Sequence, residues 1–78
     1  MLIEIYGTEW CGHCQQAKKL CEENSYDYTY TDVDDTSSLR KLEERLGQKV
    51  RTVPQIFLDG AHIPTGFTGL KRELLKNI

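Results

Sequence analysis

Apolar and polar positions along the chain mark out seven segments. Leu2, Ile3, Ile5 and Tyr6 are broken by one charge, Glu4, a pattern suited to a central strand covered on both faces, and Gly7 ends it. From Gly12, the residues Cys14, Ala17 and Cys21 recur at helical spacing and Leu20 widens the stripe. Gln15, Gln16, Lys18, Lys19, Glu22 and Glu23 take the wet side, so a helix is predicted up to Asn24-Ser25. Tyr26, Tyr28 and Tyr30 alternate with Asp27, Thr29 and Thr31, which predicts a strand ending near Val33. The capping cluster Asp34 to Ser38 precedes Leu39, Leu42 and Leu46 at helical spacing, and Gly47 stops that helix. Val53 to Leu58 reads as a strand opened by a proline, and Asp59-Gly60 turns it back into Ala61-His62-Ile63. Pro64 to Phe67 is predicted as a loop, with Thr68 capping a last helix that carries Leu70, Leu74 and Ile78 inward.

The order βαβαββα predicts an α/β fold. Two strands joined by a helix run parallel, and the final hairpin adds antiparallel strands. The result is a four-stranded mixed sheet with helices on both faces, one domain over residues 1–78. A chain of this size buries about 60% of its unfolded surface, which suits a compact layered fold.

Charge and composition remove several function classes. A net charge of −2 and a pI near 5.6 leave no basic face for nucleic acid. The longest apolar runs are a few residues, too short for a membrane span. The first strand begins almost at once, leaving no leader pattern, so a cytoplasmic protein is expected. Three cysteines, an odd number, fit a reducing compartment with one functional pair and one spare.

That pair lies in Thr8-Glu9-Trp10-Cys11-Gly12-His13-Cys14, between the first strand and the first helix. A lone C-x-x-C is ambiguous between a redox pair, half a metal site and coincidence; after a strand and opening a helix it reads as thioredoxin-like. Unpaired N–H groups and the dipole at the helix start favour an anion, hence thiolate on Cys11, the attacking species. Cys14, one turn on, is close enough to attack a mixed disulfide formed by Cys11. Cys21 shares the face of Cys14 and reads as a buried small hydrophobe rather than a third ligand. His62 reads as a solvated edge residue, Lys18 and Lys19 as a solvated helix face, and the tyrosines as one aromatic strand face. Trp10, beside the nucleophile, reads as an exposed docking surface for protein disulfides.

With that order in place, the chain resembles a glutaredoxin of the thioredoxin superfamily. The resemblance rests on Ile5-Tyr6 leading into Cys11-x-x-Cys14, Ala17-Lys18-x-Leu20, Arg51-Thr52-Val53-Pro54-Gln55-Ile56-Phe57-Leu58-Asp59, and Gly66-Phe67. It implies a thiol–disulfide oxidoreductase that reduces protein and mixed disulfides, with Cys11 attacking and Cys14 resolving. It further implies a cis Val53-Pro54 bond and glutathione as co-substrate, without a tightly bound cofactor or metal. The implied glutathione cleft comprises Thr8, His13, Arg51, Thr52, Val53, Gly66, Phe67 and Thr68, beside Trp10 and Pro54. Ribonucleotide reductase is the implied protein partner, and a monomer is expected.

Departures from the family pattern bear on glutathione. Thr8 stands where glutaredoxins commonly have lysine, Gly12-His13 replaces proline and tyrosine, and Pro64-Thr65-Gly66-Phe67-Thr68-Gly69, with one residue inserted and no aspartate, replaces a Gly-Gly-aromatic-Asp-Asp run. Each lost charge-assisted contact is worth about 1.5–3 kcal/mol if desolvated, enough to weaken binding tenfold or more. Thr68 and the N–H groups of the last helix can still take a carboxylate. Two alternatives therefore stand: a glutaredoxin-like redoxin recharged by thioredoxin reductase, and a non-enzymatic module holding an iron–sulfur cluster or zinc through Cys11. Trp10 to Cys14 also matches the active-site letters of protein disulfide isomerases, whose histidine stabilises the thiolate and makes the pair more oxidising. The expected reduction potential is roughly −180 to −230 mV; equilibration with glutathione buffers measures it, and a value below that of thioredoxin overturns the assignment.

Overall fold

The computed structural model describes residues 1–76, so the inward placement expected for Ile78 lies outside the described residues. Its elements are β1 (Leu2–Gly7), α1 (Gly12–Glu23), β2 (Asp27–Asp32), α2 (Thr36–Leu46), β3 (Gln55–Leu58), β4 (Ala61–Ile63) and α3 (Gly66–Lys76). The strands form one sheet in the order β2-β1-β3-β4. β1 pairs parallel with β2 and antiparallel with β3, and β3 pairs antiparallel with β4. This is the four-stranded mixed sheet expected from the sequence.

Strand alternation assigns the two faces. Ile3, Ile5, Ile56 and Ile63 bury against Ala17 and Cys21 of α1 and Leu70 and Leu74 of α3. Phe57 turns the other way and packs with Val33 and Leu42, flanked by Tyr6, Leu39 and Leu46 under α2. Each fully buried aliphatic side chain contributes about 1.5–3 kcal/mol. β1 is central because both of its faces are covered.

Glu4, the charge inside that central strand, is accounted for by α2. Arg45 donates two hydrogen bonds to its carboxylate, at 3.0 and 2.9 Å, and a third to the Tyr6 hydroxyl at 3.2 Å. The guanidinium carbon lies 3.7 Å from the centre of the Phe57 ring. Arg45 thus covers an aromatic face while pairing a charge that strand periodicity places on it.

The element boundaries differ from expectation at two places. β3 begins at Gln55, not Val53: Val53 and Pro54, joined by a cis peptide bond, belong to the preceding loop. α3 begins at Gly66, so Gly66 and Phe67 are helical and Thr68 sits in the first turn instead of capping it. The reason is Gly66, whose φ of +62° lets the chain turn directly from Pro64-Thr65 into the helix. His62 is half-buried, within 2.8 Å of the Gln55 side-chain oxygen through Nε2 and tilted against Phe57 at 5.2 Å, not freely solvated. Lys18 is half-buried too, with its ammonium 5.5 Å from the Tyr30 ring centre; Lys19 is exposed and pairs with Glu23.

The Arg45 guanidinium holds the Glu4 carboxyl below the ordinary carboxylate range. A carboxyl lowered in the folded state contributes stability above its unfolded pKa and loses it as acid carries the pH through the folded value. Arg45→Met should therefore lower stability near neutrality by about 1 kcal/mol and flatten its fall below the carboxylate range. Urea unfolding of both proteins along a pH series reads both effects.

Candidate active site

The site is assembled around the turn between β1 and α1. The Thr8 carbonyl accepts the Cys11 amide at 3.4 Å, the Tyr30 hydroxyl at 2.9 Å and the Gln15 side-chain amide at 3.3 Å. One oxygen thereby joins the loop to β2 and to the first turn of α1. Cys11 is the N-cap: its backbone is extended, and its sulfur accepts the Cys14 N–H at 3.3 Å. A capping sulfur at the end of a helix dipole is where a thiolate gains most from the backbone.

The two thiols differ in environment. Cys11 is part-exposed, and its S–H points to the Val53 carbonyl at 3.5 Å, across from the cis-proline loop. Cys14 is fully buried. Burial pushes the Cys14 thiol up to about 12, with Cys11 adding to the rise; the Thr8 backbone and the Tyr30 hydroxyl act against it. Gly7 makes this depth possible. A Cβ there would lie 2.5 Å from the Cys14 sulfur and 2.9 Å from the Tyr30 hydroxyl, so only hydrogen fits between them. Cys21 is also fully buried, its thiol pushed up to about 11 by burial and then by Glu22. Among the described residues no group of three or more metal-ligating side chains converges.

Beside Cys11 lies an open cleft of about 180 Å³ between the cis-proline loop and the start of α3. Of the residues singled out in the sequence, His13, Thr52, Val53, Pro54, Gly66, Phe67 and Thr68 line it. Cys11, Cys14, Thr8, Trp10 and Arg51 do not, Cys11 meeting the cleft through the carbonyl of Val53. Thr8 serves the site through its carbonyl, Trp10 stands 87% exposed beside Cys11, and Arg51 is exposed on the loop. His13 is stacked on Phe67, ring centres 6.0 Å apart, so it closes one end of the cleft. Gly66 brings the helix start close to the loop: a Cβ on it would lie 3.1 Å from the Pro54 carbonyl.

Sequence reasoning missed Gln55, Pro64 and Thr65, which also line the cleft. Gln55 gave a signal, being a polar position directly between the proline and the apolar run Ile56-Phe57-Leu58. Its amide nitrogen donates to the Thr52 carbonyl at 2.8 Å and to the Thr52 hydroxyl at 3.3 Å, while its oxygen meets His62. This chain of side chains braces the loop from the far edge of the sheet. The arrangement can hold an extended thiol-bearing backbone against Val53 with its sulfur at Cys11.

Comparison with known proteins gives a consistent result. A family model described as Glutaredoxin matches residues 3–63. Glutaredoxin 1 of Escherichia coli strain K12 is 34% identical, in an alignment covering 100% of this chain and 98% of that one. Among solved structures, Glutaredoxin 1 from Francisella tularensis superposes with a TM-score of 0.77 at 36% identity, covering 96% of this chain and 93% of that one. A buckwheat glutaredoxin–glutathione complex superposes with a TM-score of 0.74 at 25% identity, covering 96% of this chain and 69% of that one.

The difference in exposure between the thiols has a direct readout. Brief treatment of the reduced, folded protein with iodoacetamide at neutral pH should label Cys11 alone, as peptide mass spectrometry reports. Cys14 and Cys21, buried and held protonated, should react only after unfolding. Labelling of Cys14 at the rate of Cys11 would contradict the geometry.

Proposed function

The chain belongs to the glutaredoxin family and is a thiol–disulfide oxidoreductase, and on that premise we propose that it reduces protein and mixed disulfides through Cys11 and Cys14 with glutathione as electron source. The observation that carries the proposal is the position of Cys11: a helix-capping sulfur, part-exposed, facing the Val53 carbonyl at the mouth of a cleft.

The chemistry runs in two exchanges. The Cys11 thiolate attacks a disulfide, its S–S bond breaks, one sulfur leaves as a thiolate that takes up a proton, and Cys11 holds the other as a mixed disulfide. Cys14 then gives up its proton and attacks Cys11. The second sulfur departs, the substrate is fully reduced, and the protein carries a Cys11–Cys14 disulfide. Two glutathione molecules reverse these exchanges and leave as glutathione disulfide. In this scheme the Val53 main chain pairs with the backbone flanking the substrate sulfur, Thr52 and Pro54 shape the loop, and Trp10 meets protein substrates. The His13–Phe67 stack, Gly66 and Thr68 bound the tripeptide at the α3 N-terminus, whose N–H groups suit a carboxylate. Arg51 supplies positive charge at the rim, and Thr8 acts through its carbonyl. The buckwheat neighbour, solved with glutathione, supports glutathione as ligand. Ribonucleotide reductase as one target, a cytoplasmic location and a monomeric state belong to the same proposal.

A second reading has its own observation: recharging by thioredoxin reductase. Thr8 brings no ammonium group, and Thr68-Gly69 brings no carboxylate. At Gly69 a Cβ would lie 2.5 Å from Ile63 Cγ2 and would also collide with the Thr65 hydroxyl. No side chain fits there to meet a γ-glutamyl amine unless the turn shifts.

Parallel NADPH-consumption assays, one with glutathione and glutathione reductase and one with thioredoxin reductase, separate the two. Turnover in the glutathione arm is expected, Cys11→Ser abolishing it and Cys14→Ser abolishing reduction of protein disulfides while sparing release of glutathione from mixed disulfides. Turnover confined to the thioredoxin reductase arm would replace the first reading by the second.

A further inference from the structure

The resolving step asks the most buried thiol of the pair to become an anion. Cys14 has no exposed surface, and burial alone opposes its ionisation. The structure supplies a partner from across the sheet. The Tyr30 hydroxyl and the Cys14 sulfur converge on one point above the Gly7 Cα, 2.9 and 2.5 Å from where a Cβ would stand. That hydroxyl is held in place by its 2.9 Å bond to the Thr8 carbonyl, and its ring by the Lys18 ammonium at 5.5 Å. A phenol hydroxyl can turn its hydrogen about the C–O bond without moving the ring.

We infer that Tyr30 is a positioning residue for the resolving thiol, its hydrogen turning from the Thr8 carbonyl to the Cys14 sulfur as that sulfur ionises. This rests on the reading of Cys14 as the resolving cysteine. Tyr30 takes no part in electron transfer and gives up no proton: the Cys14 proton passes to solvent and on to the departing thiolate. What Tyr30 adds is a hydrogen bond to a charged acceptor, stronger than the one it leaves on a neutral carbonyl. The mutual effect of the two groups on each other's titration agrees with this, since Cys14 is among the groups raising the Tyr30 hydroxyl, after burial, to about 12. The other charged or titratable groups facing the pair are Cys11 at the N-cap of α1, Lys18 on α1 and Asp32 on β2. β1 offers only backbone here, because Glu4 and Tyr6 point to the opposite face and bond to Arg45. The device also explains why position 7 is glycine: any side chain would part the hydroxyl from the sulfur.

The two exchanges can be watched separately with a symmetrical aromatic disulfide whose thiolate absorbs visible light. Mixed in excess with reduced protein in a stopped-flow instrument, it releases one thiolate when Cys11 attacks and a second when Cys14 closes the internal disulfide. Tyr30→Phe, which keeps the ring and its packing, should leave the first release within about twofold and slow the second about tenfold. Its closure profile should move up by about one pH unit. Fluorotyrosine incorporated at position 30, a stronger hydrogen-bond donor with the fold unchanged, should move that profile down. Equal slowing of both releases would mean that Tyr30 only braces the Thr8 turn, and an unmoved second release with an unmoved profile would mean that it does nothing for Cys14; either overturns the inference. Absence of any second release from the parent protein would overturn the resolving role of Cys14 itself, and this inference with it.

Discussion

The Thr8 carbonyl oxygen holds the working end of the molecule together. It receives the Cys11 amide from the loop, the Gln15 amide from α1 and the Tyr30 hydroxyl from β2. These donors come from three consecutive stretches of chain, so the oxygen fixes where α1 starts relative to the sheet. Once α1 starts at Gly12, Cys11 has no choice but to be its cap, and Cys14 falls one turn inward. The asymmetry between an accessible sulfur and a buried one follows from helix geometry at a fixed origin, not from any special property of either cysteine.

Sheet order does the rest. Because β3 pairs antiparallel with β1, the loop before Gln55 arrives at the same end of the sheet as the turn after Gly7. Residues 42 apart in the chain, Cys11 and Val53, therefore meet as thiol and carbonyl. The hairpin through Asp59-Gly60 then carries β4 back along β3. Gly66 turns the chain under the loop, which is why the cleft has the Pro54 backbone as one wall and the first turn of α3 as the other.

Much of this was legible in the residues. Apolar spacing gave the elements because each buries one stripe or one face, and the capping cluster at Asp34 to Ser38 resolved to Asp35, whose carboxylate accepts the Ser38 N–H at 2.9 Å. The C-x-x-C spacing placed Cys14 one helical turn after Cys11. What spacing could not give were facts about partners remote in sequence. Glu4 needed Arg45, 41 residues away, before its place in a central strand made sense. Gln55 needed His62 and Thr52 before it became part of the cleft. The start of α3 was misplaced because a glycine at positive φ can do what a capping hydroxyl does elsewhere, and composition cannot tell which of Gly66 and Thr68 will be used. Thr8 was singled out for its side chain, whereas it is its carbonyl that the structure ties to the loop, α1 and β2.

The burial of Cys21 bears on stoichiometry. A protein with three thiols and a two-electron task has one thiol too many, and an accessible spare would let a third of the possible intramolecular pairings trap the nucleophile with the wrong partner. Cys21 lies two turns beyond Cys14 on the same helix face, wedged among Ile3, Ile5 and Leu74, with no surface of its own. The helix holds it at a fixed distance from Cys14, and the core hides it from oxidants. Electrons can therefore enter and leave in pairs although the thiol count is odd, because, of the two buried sulfurs, only that of Cys14 lies one helical turn from Cys11.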